Sequence, residues 1–197
     1  ALRFADYSAR GSPFHSLGVM TEITLHPLET VPEPEFAALS DEVFGHEQPS
    51  ELLAEVMAAE AAARSAQTDA KPLGTFGLAA LRGSKLIGWT QGFRVGSSQF
   101  HMLNSGVAIA ERRNGVYSQL VSAVLDHAKA HGYSTVRSLH VAANTPVIVA
   151  KLRLGFFIAG FEYSEVYGPL VQLKYLVGEQ RRILYQARTE SIRPAPR

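Results

Sequence analysis

Cysteine does not occur anywhere in this chain of 197 residues. Disulfide bonds, thiolate metal sites and a cysteine nucleophile are therefore excluded. The chain also lacks an uninterrupted apolar run of about eighteen residues, which is the length that marks a membrane-spanning helix. This second absence excludes a spanning helix, and we expect a cytoplasmic protein with no membrane partner.

A marked excess of charge is missing as well. The formal net charge is +1, and no run of five or more like charges occurs. Proteins that bind nucleic acid through its phosphates usually carry a basic patch, stripe or tail. We therefore expect no nucleic-acid partner.

The chain does have the composition of a soluble globular protein, with 46% hydrophobic and 19% charged residues. Its length fits one domain with an ordinary buried core. Residues 1–19 show no apolar periodicity and are predicted to form an N-terminal extension outside the core. Residues 20–190 are predicted to form a single domain. Residues 191–197 contain two prolines and are predicted to form a frayed tail.

Apolar periodicity and turn residues predict the order of the elements. Strands are expected at residues 21–26, 76–81, 86–93, 100–109, 135–141, 156–166 and 170–176. Helices are expected at residues 32–44, 50–64, 114–131, 146–154 and 179–187. The strand at 100–109, the helix after it and the strand at 135–141 form a strand, crossover helix and parallel strand unit.

The chain is organised around one stretch near its middle, in which the apolar period changes. Val107 and Ile109 alternate with smaller residues as in a strand, whereas Val116 and Leu120 recur at helical spacing. Between them, residues 112–115 (Arg-Arg-Asn-Gly) place two positive charges at a helix N-terminus, where unpaired N–H groups and the helix dipole favour an anion. The alternative is a solvated basic turn whose glycine merely begins a helix.

The residues that follow match a longer pattern. The chain contains Val107-x-Ile109-x-x-Arg112-x-x-Gly115-x-Tyr117, then Leu139-x-Val141-x-x-Asn144 and Leu154-Gly155-Phe156. In order and spacing these motifs resemble the GNAT superfamily of acyl-CoA-dependent N-acetyltransferases. The resemblance implies an α/β fold with a mixed, mostly antiparallel sheet, a central parallel strand pair and helices on both faces. It also implies acetyl-CoA as cosubstrate, no metal, a primary amine on a small molecule or peptide as acceptor, and a homodimer.

The resemblance further implies which residues contact acetyl-CoA. In the family, the turn after the fourth strand wraps the pyrophosphate, and strand backbone groups pair with the pantetheine arm. The residues expected to bind the cosubstrate are Val107, Ile109, Arg112, Arg113, Asn114, Gly115, Val116, Tyr117, Asn144 and Lys151. Tyr117 stands where the family usually has glycine or alanine. Asn144 matches the family's usual asparagine, although an asparagine at this position is also an ordinary helix cap.

His140 is the predicted catalytic residue. It lies in Leu139-x-Val141, where some relatives that acetylate protein N-termini carry a glutamate base, and an imidazole is a competent base near neutral pH. The alternative is a histidine with structural hydrogen bonds on a strand. Lys151 stands where the family often has the tyrosine that protonates the leaving thiolate; it is expected to bind a phosphate or donate the proton, or else to be an exposed lysine on a short helix.

His101, Asn104 and Glu111 are weaker candidates for the same site. The resemblance and these residues together predict an acetyltransferase that moves the acetyl group of acetyl-CoA directly to a primary amine. The alternative function is a non-catalytic acyl-CoA-binding or regulatory domain that keeps the turn but lacks the acid.

Overall fold

A computed structural model describes residues 22–45 and 74–192 and, between them, residues 51, 54–56 and 58–59. Side chains are described as far as residue 189. The predictions for residues 1–19, for most of the helix at 50–64 and for residues 193–197 lie outside the described residues. The described parts of the segment 51–59 are helical, as predicted.

The described residues form seven strands, four further α-helices and two short 3₁₀ helices. The strands are β1 (Ile23–Pro27), β2 (Phe76–Arg82), β3 (Lys85–Val95), β4 (Gln99–Val107), β5 (Thr135–Val141), β6 (Phe157–Ser164) and β7 (Gly168–Leu176). The helices are α1 (Glu33–Phe44), α2 (Val116–Ala130), α3 (Thr145–Arg153) and α4 (Glu179–Ile192). None of the helices in the described ranges combines the length and the apolarity that crossing a bilayer requires.

The strands form one sheet in the order β1-β2-β3-β4-β5-β7-β6. Strands β4 and β5 are parallel, and each of the other neighbouring pairs is antiparallel. The crossover between the parallel strands is α2, because parallel neighbours need a long connection. The predicted mixed, mostly antiparallel sheet with a central parallel pair is confirmed.

The parallel pair diverges before its strands end. Pairing between β4 and β5 runs from Gln99 with Thr135 to Met102 with Ser138, yet β4 continues to Val107 and β5 to Val141. A register shift in the β3–β4 ladder, where Gln91 pairs with Asn104 and Gly92 with Met102, inserts an extra residue in β4 at the same level. Such a bulge bends its strand. The two carboxyl ends therefore lie at one edge of the sheet with an opening between them.

Helices pack on both faces of the sheet. On one face, α1 contributes Leu39 and Val43 to a cluster around Trp89, which is fully buried. On the other face, the apolar stripe of α2 packs against β2 to β5, and its members Val116, Leu120, Val121, Val124 and Ala128 are all buried. Each helix is thus held by the periodic apolar face that the sequence predicts.

Within the described residues, the predicted boundaries differ from the observed ones by at most two residues, except at the end of the last helix. The strand expected to reach Ile109 ends at Val107, because Ile109 begins a short 3₁₀ turn and its N–H donates to Glu42 Oε1 of α1 at 2.7 Å. The last helix was predicted to end at residue 187 and extends to Ile192. The first residues of the predicted tail are therefore helical.

Candidate functional site

The turn between β4 and α2 has an unusual backbone. Arg113 has a φ of 67° and Gly115 a φ of 81°, so two residues of the turn have a left-handed backbone conformation. Turns of this kind gather successive N–H groups into anion-binding concavities. A Cβ placed on Gly115 would meet nothing within 4 Å, and Arg112, Arg113 and Asn114 are exposed. The turn at the start of α2 is therefore open and positively charged.

Arg112 ties this turn to the strand before it. Its Nε–H donates to the carbonyl oxygen of Val107, the last residue of β4, at 3.2 Å. The Val107 side chain is itself buried in the core beneath α2. These contacts fix the entry to the turn relative to the sheet, which is what a rigid binding loop requires.

The backbone at Val107 and Ile109 already has partners. The Val107 carbonyl accepts from Arg112, and the Ile109 N–H donates to Glu42, while the Ile109 side chain is 58% exposed. Pairing of these two residues with an extended amide arm stays a prediction. It would have to use the remaining backbone groups or displace one of these bonds.

Tyr117 does not point into the open side of the turn. Its ring packs against both apolar clusters that α2 forms with the sheet, next to the buried Val116. Burial raises the pKa of its hydroxyl. A bulky residue at this position is therefore accommodated by the core. The N–H groups of the first turn of α2 remain at the helix N-terminus.

Asn144 occupies the N-cap position of α3, at the carboxyl end of β5. Its carbonyl accepts from the Ile148 N–H, but among the described residues its side chain makes no capping hydrogen bond. The ordinary capping role is therefore not what this geometry shows. Because parallel strands place their carboxyl ends together, Asn144 and the Arg112 turn lie at the same edge of the sheet.

A hydrogen-bonded chain of three side chains spans β5 and α3. His140 Nε2 lies 3.0 Å from Ser138 Oγ, and Lys151 Nζ donates to the same oxygen at 2.7 Å. Ser138 and His140 share one face of β5 because they are two residues apart. Ser138 is also the last residue of β5 that pairs with β4, so His140 lies on the part of β5 that has diverged.

Lys151 is enclosed. Its side chain is 1% exposed, so the expectation of an exposed lysine is wrong. The other groups around Nζ are the Met102 sulfur at 3.2 Å and the Phe156 ring at 4.7 Å from its centroid. With no carboxylate among these neighbours, burial lowers the pKa of Lys151 from 10.5 to about 7. A phosphate contact from this ammonium stays a prediction, and it would require the side chain to leave these partners.

The two histidines at this level are held neutral. Burial first, then Lys151 and His101, lower the pKa of His140 to about 3. Burial, Arg137 and Lys151 lower the pKa of His101 to about 4. At neutral pH both imidazoles are therefore uncharged, and a proton placed on His140 is strongly disfavoured.

Each of the weaker candidates has a structural partner. His101 Nδ1 accepts from Arg137 Nε–H at 3.2 Å, and Asn104 Oδ1 accepts from the indole N–H of Trp89 at 3.1 Å. Glu111 forms an ion pair with Arg82 at 2.9 Å. Each of the three side chains therefore has a structural partner, and a part in catalysis stays a prediction.

The sequence analysis missed Ser138, which joins His140 to Lys151. The available signal was the spacing Ser138-x-His140, which puts both side chains on one face of a strand. In the described ranges no group of three or more His, Asp or Glu side chains is arranged to hold a metal ion. The expected absence of a metal stays a prediction.

Comparison with known proteins identifies the family of this chain. Residues 35–156 match the family model described as acetyltransferase (GNAT) family, which is more than half of the chain. The chain belongs to the GNAT acetyltransferase family. No curated protein matches it at a significant level.

Solved structures share the GNAT fold at low sequence identity. The ribosomal-protein-S18-alanine N-acetyltransferase from Escherichia coli is 19% identical, with a TM-score of 0.60 over 80% of this chain and 97% of that chain. A GNAT family acetyltransferase from Elizabethkingia anophelis with acetyl-CoA bound is 16% identical, with a TM-score of 0.54 over 78% and 97%. Nourseothricin acetyltransferase is 18% identical, with a TM-score of 0.50 over 53% of this chain and 66% of that chain. Two of these names state an acceptor, an alanine of a ribosomal protein and nourseothricin, and the two differ in kind. The fold therefore does not identify the acceptor.

Proposed function

We propose that this GNAT family member transfers the acetyl group of acetyl-CoA directly to a primary amine. The observation that carries the proposal is the divergence of β4 and β5 beyond Met102 and Ser138, with the open Arg112 turn after one strand and His140 on the other. An opening between two strands gives a thioester and an amine a place to approach each other. The acetylated amine of the ribosomal-protein relative is consistent with this class of acceptor.

The Arg112 turn is proposed to bind the pyrophosphate. The support is its left-handed backbone, the open space above Gly115 and the helix N-terminus that follows. Arg113 and Asn114 are exposed beside it, and Asn144 lies at the same edge of the sheet. Acetyl-CoA, when bound, supplies the activated acetyl group. The chain's part is to hold it and to accept the proton of the ammonium acceptor.

His140 is proposed to receive that proton. Its neutral imidazole leaves one nitrogen to accept while the other stays within hydrogen-bonding distance of Ser138. With the pKa of His140 lowered to about 3, the rate is not expected to rise with pH through the titration of this histidine alone. The proton has to be passed on to a more basic group.

Acetyl-CoA binding is tested first by melting. A ligand that binds the folded state at a hundred times its Kd stabilises it by about 2.7 kcal/mol. The melting temperature should therefore rise in millimolar acetyl-CoA and stay unchanged with adenosine alone. An unchanged melting temperature in acetyl-CoA would contradict the proposal.

The second candidate function is a non-catalytic acyl-CoA-binding domain. It is favoured by Lys151, which stands where the family often has a tyrosine acid and is buried. A panel of primary amines, including peptides with free N-termini, separates the two functions. Acetyl-CoA binding without turnover on any member would favour the binding domain.

The oligomeric state is a further part of the proposal. Strand β6 lies at the edge of the sheet and exposes Phe161 (78%) and Tyr163 (77%). Large apolar groups on an exposed edge strand are typical of a surface that pairs with another chain. We propose that two copies of the chain associate through β6. The cytoplasmic location stays a prediction.

A further inference from the structure

We propose that Ser138 and Lys151 form a proton relay with His140, in which the buried amine of Lys151 is the final acceptor of the proton taken from the substrate ammonium. The inference rests on the proposed acetyl transfer. It assigns a role to two buried groups that this function leaves unused. Only His140 contacts the substrate, and Ser138 and Lys151 receive the proton through it.

The geometry supports a continuous path. Ser138 Oγ lies 3.0 Å from His140 Nε2 and 2.7 Å from Lys151 Nζ, so one hydroxyl contacts both nitrogens. Ser138 and Lys151 are each 1% exposed, so the inner end of this hydrogen-bonded path is separated from solvent. His140 is half-buried and forms the outer end. A proton can therefore reach Lys151 along this path only through His140 and Ser138.

The step balances as a concerted shift of three protons along the hydrogen-bonded path. Before it, His140 Nε2–H donates to Ser138 Oγ, the serine hydroxyl donates to the neutral Lys151 Nζ, and His140 Nδ1 carries a lone pair. The substrate N–H bond breaks as Nδ1–H forms, Nε2–H passes to Oγ, and the serine proton passes to Nζ. Three bonds form and three break, the substrate amine becomes neutral, and Lys151 holds the positive charge.

The relative basicities point the same way. Burial lowers the pKa of Lys151 to about 7, whereas the pKa of His140 lies at about 3, so the proton is more stable on the lysine. The other titratable or charged groups at this level are His101 of β4 and Arg137 of β5. His101 has its own pKa lowered to about 4, and Arg137 Nε–H donates to His101. Neither group competes for the proton near neutral pH.

The relay predicts a change of tautomer in His140. When Lys151 is charged, it donates to Ser138, the serine donates to Nε2, and the imidazole proton lies on Nδ1. When Lys151 is neutral, the direction reverses and the proton lies on Nε2. The His140 tautomer should therefore follow the protonation of Lys151.

The test is ¹⁵N NMR of histidine-labelled protein, titrated between about pH 5 and pH 9, since neutral tautomers and the cation have distinct nitrogen shifts. The His140 signals are assigned by their loss in His140→Gln. In the wild type they should change from the Nδ1–H to the Nε2–H pattern near pH 7. Ser138→Ala and Lys151→Met should each abolish the change. Lys174→Met, which alters a half-buried lysine of β7, should leave it intact.

A second test measures the turnover of any amine of the panel that the wild type acetylates. Lys151→Met should lower kcat by about 10²-fold or more, as expected for a lost base, with little change in the KM for acetyl-CoA. Failure of acetyl-CoA to stabilise the wild type would count against the proposed function and leave the NMR result standing. A single His140 tautomer across the titration in the wild type, or the same change in Ser138→Ala, would overturn the relay.

Discussion

The carboxylate of Glu42 accepts a hydrogen bond from the backbone N–H of Ile109 at 2.7 Å. This contact joins α1, on one face of the sheet, to the segment between β4 and the Arg112 turn. Ile109 has left the strand at this point, so its N–H has no partner on β3 and takes one from α1 instead. The position of α1 and the position of the candidate cofactor turn are therefore coupled.

Glu42→Ala is predicted to lower the free energy of unfolding by about 1 kcal/mol and to weaken acetyl-CoA binding, because the freed N–H lets the turn move. Glu42→Gln keeps an acceptor and should retain more of both. Asp41→Ala, next to it on α1, is the matched control. Chemical denaturation and calorimetric titration measure the two quantities. Equal effects of Glu42→Ala and Asp41→Ala would contradict the coupling.

The strands and the helices followed from periodicity, because burial on one face imposes a period of two on strands and about 3.6 on helices. The divergence of β4 from β5 did not follow. It depends on an extra residue in β4 opposite Gln91 and Gly92, and nothing in the local composition distinguishes that residue. Where β4 ends was likewise decided by a long-range contact, that of Glu42 with Ile109.

The parts of the site that depend on backbone conformation were predictable from the sequence. The burial of individual side chains was not. Glycine at position 115 and the change of period indicated a strand, a turn and a helix, and these are present. Lys151 was expected on the surface because lysine is seldom buried. Its position on α3 turns it toward Met102 and Ser138, which only the packing of α3 on the sheet reveals.

Gly115→Asp is predicted to abolish acetyl-CoA binding while the protein stays folded. The new side chain has open space around it, so the defect would come from bulk and negative charge at the proposed pyrophosphate position. Gly96→Asp is the matched control, because Gly96 also has a left-handed backbone, with a φ of 60°, and open space around it. Both variants should lose similar stability from the strained backbone. Retained affinity in Gly115→Asp would exclude this turn from the site.

The proposed β6 interface predicts that Phe161→Glu combined with Tyr163→Glu yields monomers. Two carboxylates on an apolar contact cannot be buried without large desolvation cost. Ile183→Glu serves as the control, since Ile183 is also exposed (57%) but lies on α4. Sedimentation velocity over a range of concentrations measures the mass. A monomeric wild type, or dimers in the double variant, would argue against association through β6.

The buried amine of Lys151 makes a prediction about stability as well as about catalysis. Its pKa is lowered from 10.5 to about 7 in the folded protein, so between those values the unfolded chain binds more protons than the folded one. The free energy of unfolding should therefore rise with pH across this window, by up to about 1.4 kcal/mol per pH unit from this group. Below about pH 7 the folded protein carries the full cost of a buried ammonium.

Lys151→Met removes that cost and keeps a long side chain beside Met102 and Phe156. The variant is predicted to be more stable than the wild type at pH 6, by on the order of several kcal/mol, since replacing a buried charge by an apolar group is often stabilising. Its advantage should shrink steadily as the pH rises from 7 to 10, because the wild-type lysine becomes neutral. Urea denaturation of both proteins at each pH measures the difference. Titrating groups that Lys151 does not influence cancel, and the two that it does influence, His101 and His140, are neutral in the folded wild type above pH 7. Lys174→Met should show no such trend, and parallel curves for Lys151→Met and the wild type would mean that Lys151 is not a buried, readily deprotonated amine.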